Sequence, residues 1–532
     1  MFSPASLIAI ACSTWLLLQS SIVFAAEITV RKRDNAFAIS GEMVSSDHQG
    51  WVIAVDGVGD LAVSAQSFVC VSGPCSDDQQ SQAVAAIPPG SPLTTTWIGG
   101  SDIGTEALPR LIKAFAASLG ASASLKIGAD VKNLEYSLNG ADGRLIGRIN
   151  IERQGEAAGL SALAKDQADV VWARRPVFSD YGVVTPAPAA ADVTAAYLRH
   201  PWAQDALTVL VSQENPVTSL SLDDIAKVFS GQIKDWSELG QPAGKINVYA
   251  PSSEMGAWDQ FDSQVLKPRG VSLTDAAKRF VHATQWSDEV ANDRHGIGVS
   301  PFAFVRKAKA ISISRSCGLS SVASIFSAKA GEYPLVGQLY FYTAGKLKNP
   351  LAAALLSFVM SDKAQPVLKS AGLIDRDPET VGFNDQAGRI AVDSGMSART
   401  ESPALLSTLI KDTRAAQRLS LTFRFGSSTA NLDARSVNDI GKLANFVTSK
   451  SSAARSVLLL GFADSVGSRE SNAAVAGGRA ARVHDALLKV VGTALPQGTN
   501  IVHSAYGALA PVSCNQTADE RALNRRVEVW VR

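Results

Sequence analysis

The chain has 532 residues, with 50 Lys and Arg against 49 Asp and Glu and a formal net charge of +1. That length exceeds what one core serves and implies about three domains; the near-zero charge removes the electrostatic ground for nucleic-acid binding. Leu7 to Phe24 is apolar and ends in Ala25-Ala26 before Glu27, the form of a secretory signal, so residues 1–26 read as a signal peptide cut after Ala25 or Ala26. Its first residues lack Lys and Arg, which leaves an uncleaved anchor as the other reading. Cys12 lies inside the apolar run and is discounted as a lipidation site. No later segment reaches the ~20 apolar residues of a spanning helix or shows the many alternating strands of a membrane barrel. The mature chain is therefore expected to be soluble and exported, with no transmembrane segment.

Residues 27–80 alternate apolar and polar in short runs (Ile28-Val30, Phe37-Ile39, Trp51-Val55, Leu61-Val63, Phe68-Val71) broken by turn dipeptides, which predicts a small β-rich module. It is too short to build a large core alone and is expected to lean on its neighbour or on a disulfide. Cys70 and Cys75 flank the turn-forming Gly73-Pro74, and an oxidising compartment makes them a disulfide candidate. Their spacing is wider than a redox Cys-x-x-Cys, and two ligands do not make a metal site. Cys317 and Cys514 fall in different predicted domains, and the sequence leaves open whether they pair.

A polar, Pro-containing linker (79–96) leads into alternating strand-like and helix-like segments. Trp97-Ile98 precedes a Gly-rich turn, Leu108, Leu111, Ile112, Phe115 and Leu119 follow at helical spacing, and Val170-Val171 reads as a strand. The alternation implies an α/β domain. The pieces Gly100-Ser101-Asp102-Ile103-Gly104, Ala168-Asp169-Val170 with Arg175-Pro176, Leu222-Asp223-Asp224-Ile225 through Phe229-Ser230-Gly231 to Trp236-Ser237-Glu238-Leu239-Gly240, Gly296-Ile297-Gly298 and Tyr340-Phe341-Tyr342 lie in order. On these, residues 95–375 resemble the phosphate-binding family of periplasmic solute-binding proteins, which implies a two-lobed periplasmic-binding-protein type II fold.

Ligand chemistry departs from that family. An oxyanion cleft uses hydroxyls, backbone N–H groups and often an Arg to replace the anion's hydration. The family's loop runs approximately Ala-Arg-x-Asp-x-Ser-Gly-Thr. Here Ala250-Pro251-Ser252-Ser253-Glu254-Met255-Gly256-Ala257 puts Pro at the Arg, Ser253 at the Asp, and Met255 and Ala257 at the two hydroxyls. The second loop, usually Gly-Ser-rich in the family, reads Gly155-Glu156-Ala157-Ala158-Gly159 and has lost hydroxyls and gained a carboxylate. Carboxylates oppose a dianion, and lost donors leave it unsolvated. The candidate cleft residues are Ser101, Asp102, Glu156, Arg174, Ser252 and Ser253, with Thr105 and Arg175 nearby. Each is weighed against a capping or salt-bridging role. The expectation is weak or absent phosphate binding, with a different small anionic or polar solute, or a cleft retired into a protein-contacting surface.

Residues 376–418 read as a connector with polar turns and a short helix near Ala404 to Ile410. Beyond it, Val457-Leu458-Leu459-Leu460-Gly461-Phe462 reads as a buried strand with Asp464 just past its end, where sites are built. Arg479 lies early in a segment with Val475, Val483, Leu487 and Val490 at helical spacing, which places it near the same edge. An anion and a forked cation together suit a zwitterion, such as the side-chain end of the diamino acid in wall peptides.

Gly461-Phe462-Ala463-Asp464, Gly467, Asn472, Arg479-Ala480-Ala481-Arg482-Val483, Gly507, Pro511, Asn515, Arg521 and Asn524-Arg525-Arg526-Val527 resemble the OmpA-like peptidoglycan-binding domain over 419–532. Phe462 and Ala463 replace the family's His and Thr, and Glu520 stands where Gly is usual. The resemblance implies an α/β domain that grips peptidoglycan through Asp464, Asn472 and Arg479. The competing reading is a surface salt bridge between Asp464 and Arg479. Arg525 and Arg526 read as a solvated strand face.

Six scattered histidines show no zinc spacing, and nucleophile-elbow, His-Glu-x-x-His and Walker patterns are missing. No cofactor and no enzyme activity are expected. The reading is an α/β multidomain, wall-tethered protein of the periplasm or cell envelope. An envelope scaffold and a phosphate-binding component of a transporter stand as its alternatives.

Overall fold

The computed structural model describes residues 27–32, 38–47, 50–55, 58–64, 68–72, 92–127, 132–174, 178–179, 182–183, 197–253, 255–396, 402–425, 434–449, 456–492 and 495–532. The signal segment, Cys12 and Cys75 lie outside them. Cys70 is disulfide-bonded.

The first strands form an antiparallel sheet in the order Gly59–Ser64, Gly50–Val55, Ala38–Asp47, Glu27–Lys32, Phe68–Ser72. Every second residue points inward, as a sheet covered on one face requires: Ile28, Val30, Ile53, Leu61 and Val63 are buried. They join one core with Leu419, Phe423, Ile440, Leu443, Val457, Val483 and Val529 near the other end of the chain. A Cβ on Gly441 would lie 3.5 Å from Leu61 Cδ1. Among the described residues the module thus leans on the last domain, whose helices supply Ile440, Leu443 and Val483 to the shared core.

The middle of the chain folds into two lobes threaded by one mixed sheet. Tyr197–Val211 and Val336–Ala344 pair antiparallel and serve both lobes. The first lobe continues through Val170–Ala173, Leu93–Gly99 and Leu145–Glu152 over a core of Trp97, Leu111, Phe115, Ile149, Trp172 and Phe341. The second continues through Gly296–Pro301 and Asn247–Pro251 over Leu207, Ile225, Phe229, Phe261, Ile297 and Tyr333. Local signals explain the second lobe's most recognisable stretch. Ser221 caps the helix Leu222–Phe229 by accepting from Asp224 N, acids stand in its first turn and Lys227 in its last, and Ile225, Val228 and Phe229 face the core. Asp235 and Glu238 then close a capping box, and Gly240 ends the turn at φ +70°.

The last domain is a sheet ordered Thr380–Gly382, Gln417–Arg424, Arg526–Val531, Ser456–Phe462, Asn500–Ala505. Part of the stretch expected as a connector is built into it. Thr380–Gly382 is an edge strand of this sheet, while Ile390 and Leu409, from the helices Asn384–Met396 and Pro403–Thr413, join its second core with Leu460, Phe462 and Trp530.

The second lobe and the last domain are fastened together. Cys317 and Cys514 form a disulfide across 197 residues. Arg418 ion-pairs with Glu332, and Arg424 Nη2 donates to the carbonyls of Ala330 and Gly331 at 2.8 and 3.0 Å. Among the described residues no helix is long and apolar enough to cross a membrane.

Candidate functional site

In the cleft, the helix Glu156–Ala164 of the first lobe meets the short helix Gly256–Phe261 of the second. Gly155 takes φ +99°, open to glycine, and so turns Glu156 inward. Glu156 is buried, and its Oε1 accepts the Arg174 backbone N–H at 2.8 Å. The Arg174 guanidinium ion-pairs with Asp205, at side-chain exposures of 3% and 1%. A Cβ added to Gly256 would lie 2.5 Å from Glu156 Oε1 and 2.8 Å from Arg174 Cδ. The second lobe's backbone therefore abuts the first lobe's charges directly.

Of the other cleft candidates, Ser252 and Thr105 have local contacts. Ser252 N donates to Phe280 O at 2.7 Å and Met255 N to Ser252 O at 3.1 Å, so Ser252 shapes a turn, and Ser253 is exposed. Thr105 Oγ1 accepts from Arg153 at 2.7 Å. Ser101 and Asp102 open the helix Ser101–Ser118; their side chains, Arg175 and Glu254 lie outside the described residues. Among the described residues no group of three or more His, Cys, Asp or Glu could hold a metal ion.

The second candidate site lies at one edge of the last domain. Ser456–Phe462 is buried on both faces, and Asp464 follows where it leaves the sheet. Antiparallel pairing of Phe462 with Arg526 sets Arg525 beside that exit. Arg525 Nη1 meets Asp464 Oδ2 at 3.0 Å, with side-chain exposures of 12% and 15%. Asp464 Oδ1 accepts from Val466 N at 3.0 Å, and Arg525 Nε donates to Phe425 O at 3.3 Å.

The helix Arg469–Val491, capped by Ser468, brings the remaining groups. Asn472, Ala476, Arg479, Ala480, Val483 and Leu487 form its buried face. Val475, expected on that face, is exposed; small Ala476 takes its place because the helix comes very close to the strand. A Cβ on Gly461 would lie 2.1 Å from Ala476 O. Arg479 sits over the Phe425 ring, 5.5 Å from its centroid. Burial, then the neighbouring Arg525, push its guanidinium down, and Asp464 opposes them. Asp464, Arg525 and Arg479 thus gather at one edge of the sheet, an anion and two cations, the donor and acceptor types a zwitterionic ligand calls for.

One expectation fails here. Arg525 and Arg526 are not a solvated face: Arg525 holds Asp464, and Arg526 is fully buried, 2.6 Å from Glu528. The pairing register turns both inward. Glu520, the departure from the usual Gly, accepts from Gln516 N and Thr517 N at 2.9 and 3.0 Å, closing a capping box, and its charge faces Arg315 of the second lobe. Asn524 holds the loop before it, accepting from Val512 N at 2.8 Å and Ser513 N at 3.1 Å.

Residues 131–363 match the PBP superfamily domain, and residues 423–525 match the OmpA family. It is 26% identical over 248 residues to Protein SphX of Synechococcus elongatus, covering 44% of this chain and 68% of that protein. It is 25% identical over 241 residues to the phosphate-binding protein PstS of Staphylococcus haemolyticus, covering 44% of this chain and 73% of the relative. Among solved structures it is similar to an ABC-type phosphate transport receptor from Vibrio cholerae, at 17% identity and a TM-score of 0.40 over 53% of this chain and all of that one.

Proposed function

We propose that this is an envelope protein held non-covalently on peptidoglycan by its OmpA-family domain, presenting a solute-binding-type domain whose cleft does not take phosphate. Its role is binding, not catalysis. At the wall site Asp464 accepts from the ammonium end of the stem peptide's diamino acid, Arg479 forks onto the carboxylate, and Asn472 lies on the same helix face. The gathering of Asp464, Arg525 and Arg479 at one edge of the sheet supports this assignment.

The observation that carries the cleft reading is Glu156. Its carboxylate lies against the backbone of Gly256, in the loop that binds phosphate in the family this domain resembles. A buried carboxylate there repels a dianion, and the neighbouring cation, Arg174, is already committed to Asp205. Similarity to phosphate-binding proteins favours a solute of related size and polarity. The internally matched charges favour the alternative, an envelope scaffold whose cleft serves protein contacts.

Thermal-shift measurements on the full exported chain against phosphate, other oxyanions, amino acids and sugars test this, since a ligand bound only by the folded state raises the melting point. No shift with phosphate is expected. A saturable phosphate shift would overturn the cleft reading, and silence across the panel would select the scaffold.

A further inference from the structure

We propose that Asn515 and the Cys317–Cys514 disulfide are positioning residues for the wall site, so that a loop of the solute-binding-type domain sets how tightly the other domain grips peptidoglycan. This rests on the reading of Asp464 and Arg479 as a wall-peptide site. The connection is short. Cys514 is buried and bonded to Cys317, on the tight turn in which Arg315 N donates to Leu319 O at 2.8 Å. The next residue, Asn515, takes φ +68°, and its Oδ1 accepts from Ser465 N at 3.2 Å. Ser465 directly follows Asp464. Asp464 Oδ1 in turn accepts from Val466 N, so its carboxylate is oriented by the segment that Asn515 holds.

Beside the bonds from Glu520 and Asn524 already described, the loop has further contacts. Ser316 Oγ meets Gln516 Oε1 at 3.1 Å, and Arg521 Nη1 donates to the carbonyls of Asn515 and Gln516 at 3.2 and 3.0 Å. Asn enters the left-handed region more readily than other non-glycine residues, so Asn515 suits this turn. The covalent bond one residue away ties this turn to the second lobe. A zwitterion gripped at both ends needs its two charges held to a fraction of an ångström, so a looser Asp464 segment weakens binding even with every charge present.

The test uses the full exported chain and a muropeptide carrying diaminopimelic acid, titrated by calorimetry, with the melting temperature measured alongside. Asn515→Gly keeps the backbone conformation and removes the acceptor, Asn515→Asp keeps both, and Cys317→Ser with Cys514→Ser removes the bridge while leaving Cys70 untouched. The glycine variant is expected to bind about five- to tenfold more weakly, the effect of losing one hydrogen bond, and the double-serine variant to bind more weakly than the parent. Asn515→Asp is expected to restore affinity. The glycine variant should melt within a few degrees of the parent. If the parent binds and the glycine and double-serine variants bind equally well, the proposal is overturned. If the double-serine variant fails to fold, the Asn515 pair decides. If the parent does not bind the muropeptide, the wall reading itself fails, and this inference with it.

Discussion

Arg418, fully buried on a strand of the last domain, forms an ion pair with Glu332 of the second lobe and a second one, at 3.2 Å, with the buried Glu528. Arg389 and Arg526 complete the cluster around Glu528 at 2.9 and 2.6 Å, and Trp530 Nε1 donates to it at 3.0 Å. Removing one partner strands the other charges out of water. Arg418→Met is therefore expected to cost about 3 kcal/mol or more, read by denaturant titration. A loss under about 0.5 kcal/mol would mean the cluster is solvated.

Acid should loosen the same cluster. Burial pushes the Glu332 carboxyl up, but Arg418 outweighs it; burial likewise raises Glu528, and Arg389, Arg418 and Arg526 outweigh it. Both carboxyls end below their usual range. A depressed carboxyl contributes stability above its unfolded pKa of about 4.3, and that contribution is lost as pH falls through the lower folded value. Stability from these groups should be level from pH 8 to 5 and fall below about pH 4. Arg418→Met should flatten that fall, which melting curves across the range would reveal.

Gly461 sets the height of Arg479. Because the Ala476 carbonyl occupies the space a side chain would need, Gly461→Ala must push the helix off the strand. The expected cost is about 2–3 kcal/mol, together with weaker wall binding. Unchanged stability would show that the helix can shift without consequence.

Leu61 tests the union of the chain's two ends. It is buried against the helix Ala434–Thr448, so Leu61→Ala should cost about 2–4 kcal/mol. The loss should appear in the unfolding of the last domain, followed by hydrogen exchange at Ile440 and Leu443. Protection there equal to the parent's would contradict the shared core.

What the sequence disclosed was local. The apolar run ending before Asp464, the helical spacing that carries Arg479 and the capped helix at Leu222 are each written within a few residues. Arg525 reads as a solvated face in the sequence because its role comes from strand register, which sets it beside Asp464 across 61 residues of chain. The Cys317–Cys514 bond, the Arg418–Glu332 pair and the packing of Leu61 near Gly441 join distant segments, and periodicity carries no signal for such pairings. Glu156 was visible as a departure from a loop pattern; its contact with Gly256 needed both lobes in place.

The most direct test of the account is sedimentation of the exported chain with purified sacculi, comparing the parent with Asp464→Ala and Arg479→Ala. The parent should pellet with the wall, and each variant should stay in the supernatant while keeping its circular dichroism. Both variants pelleting like the parent would contradict the site, and a parent that stays soluble would contradict the tether.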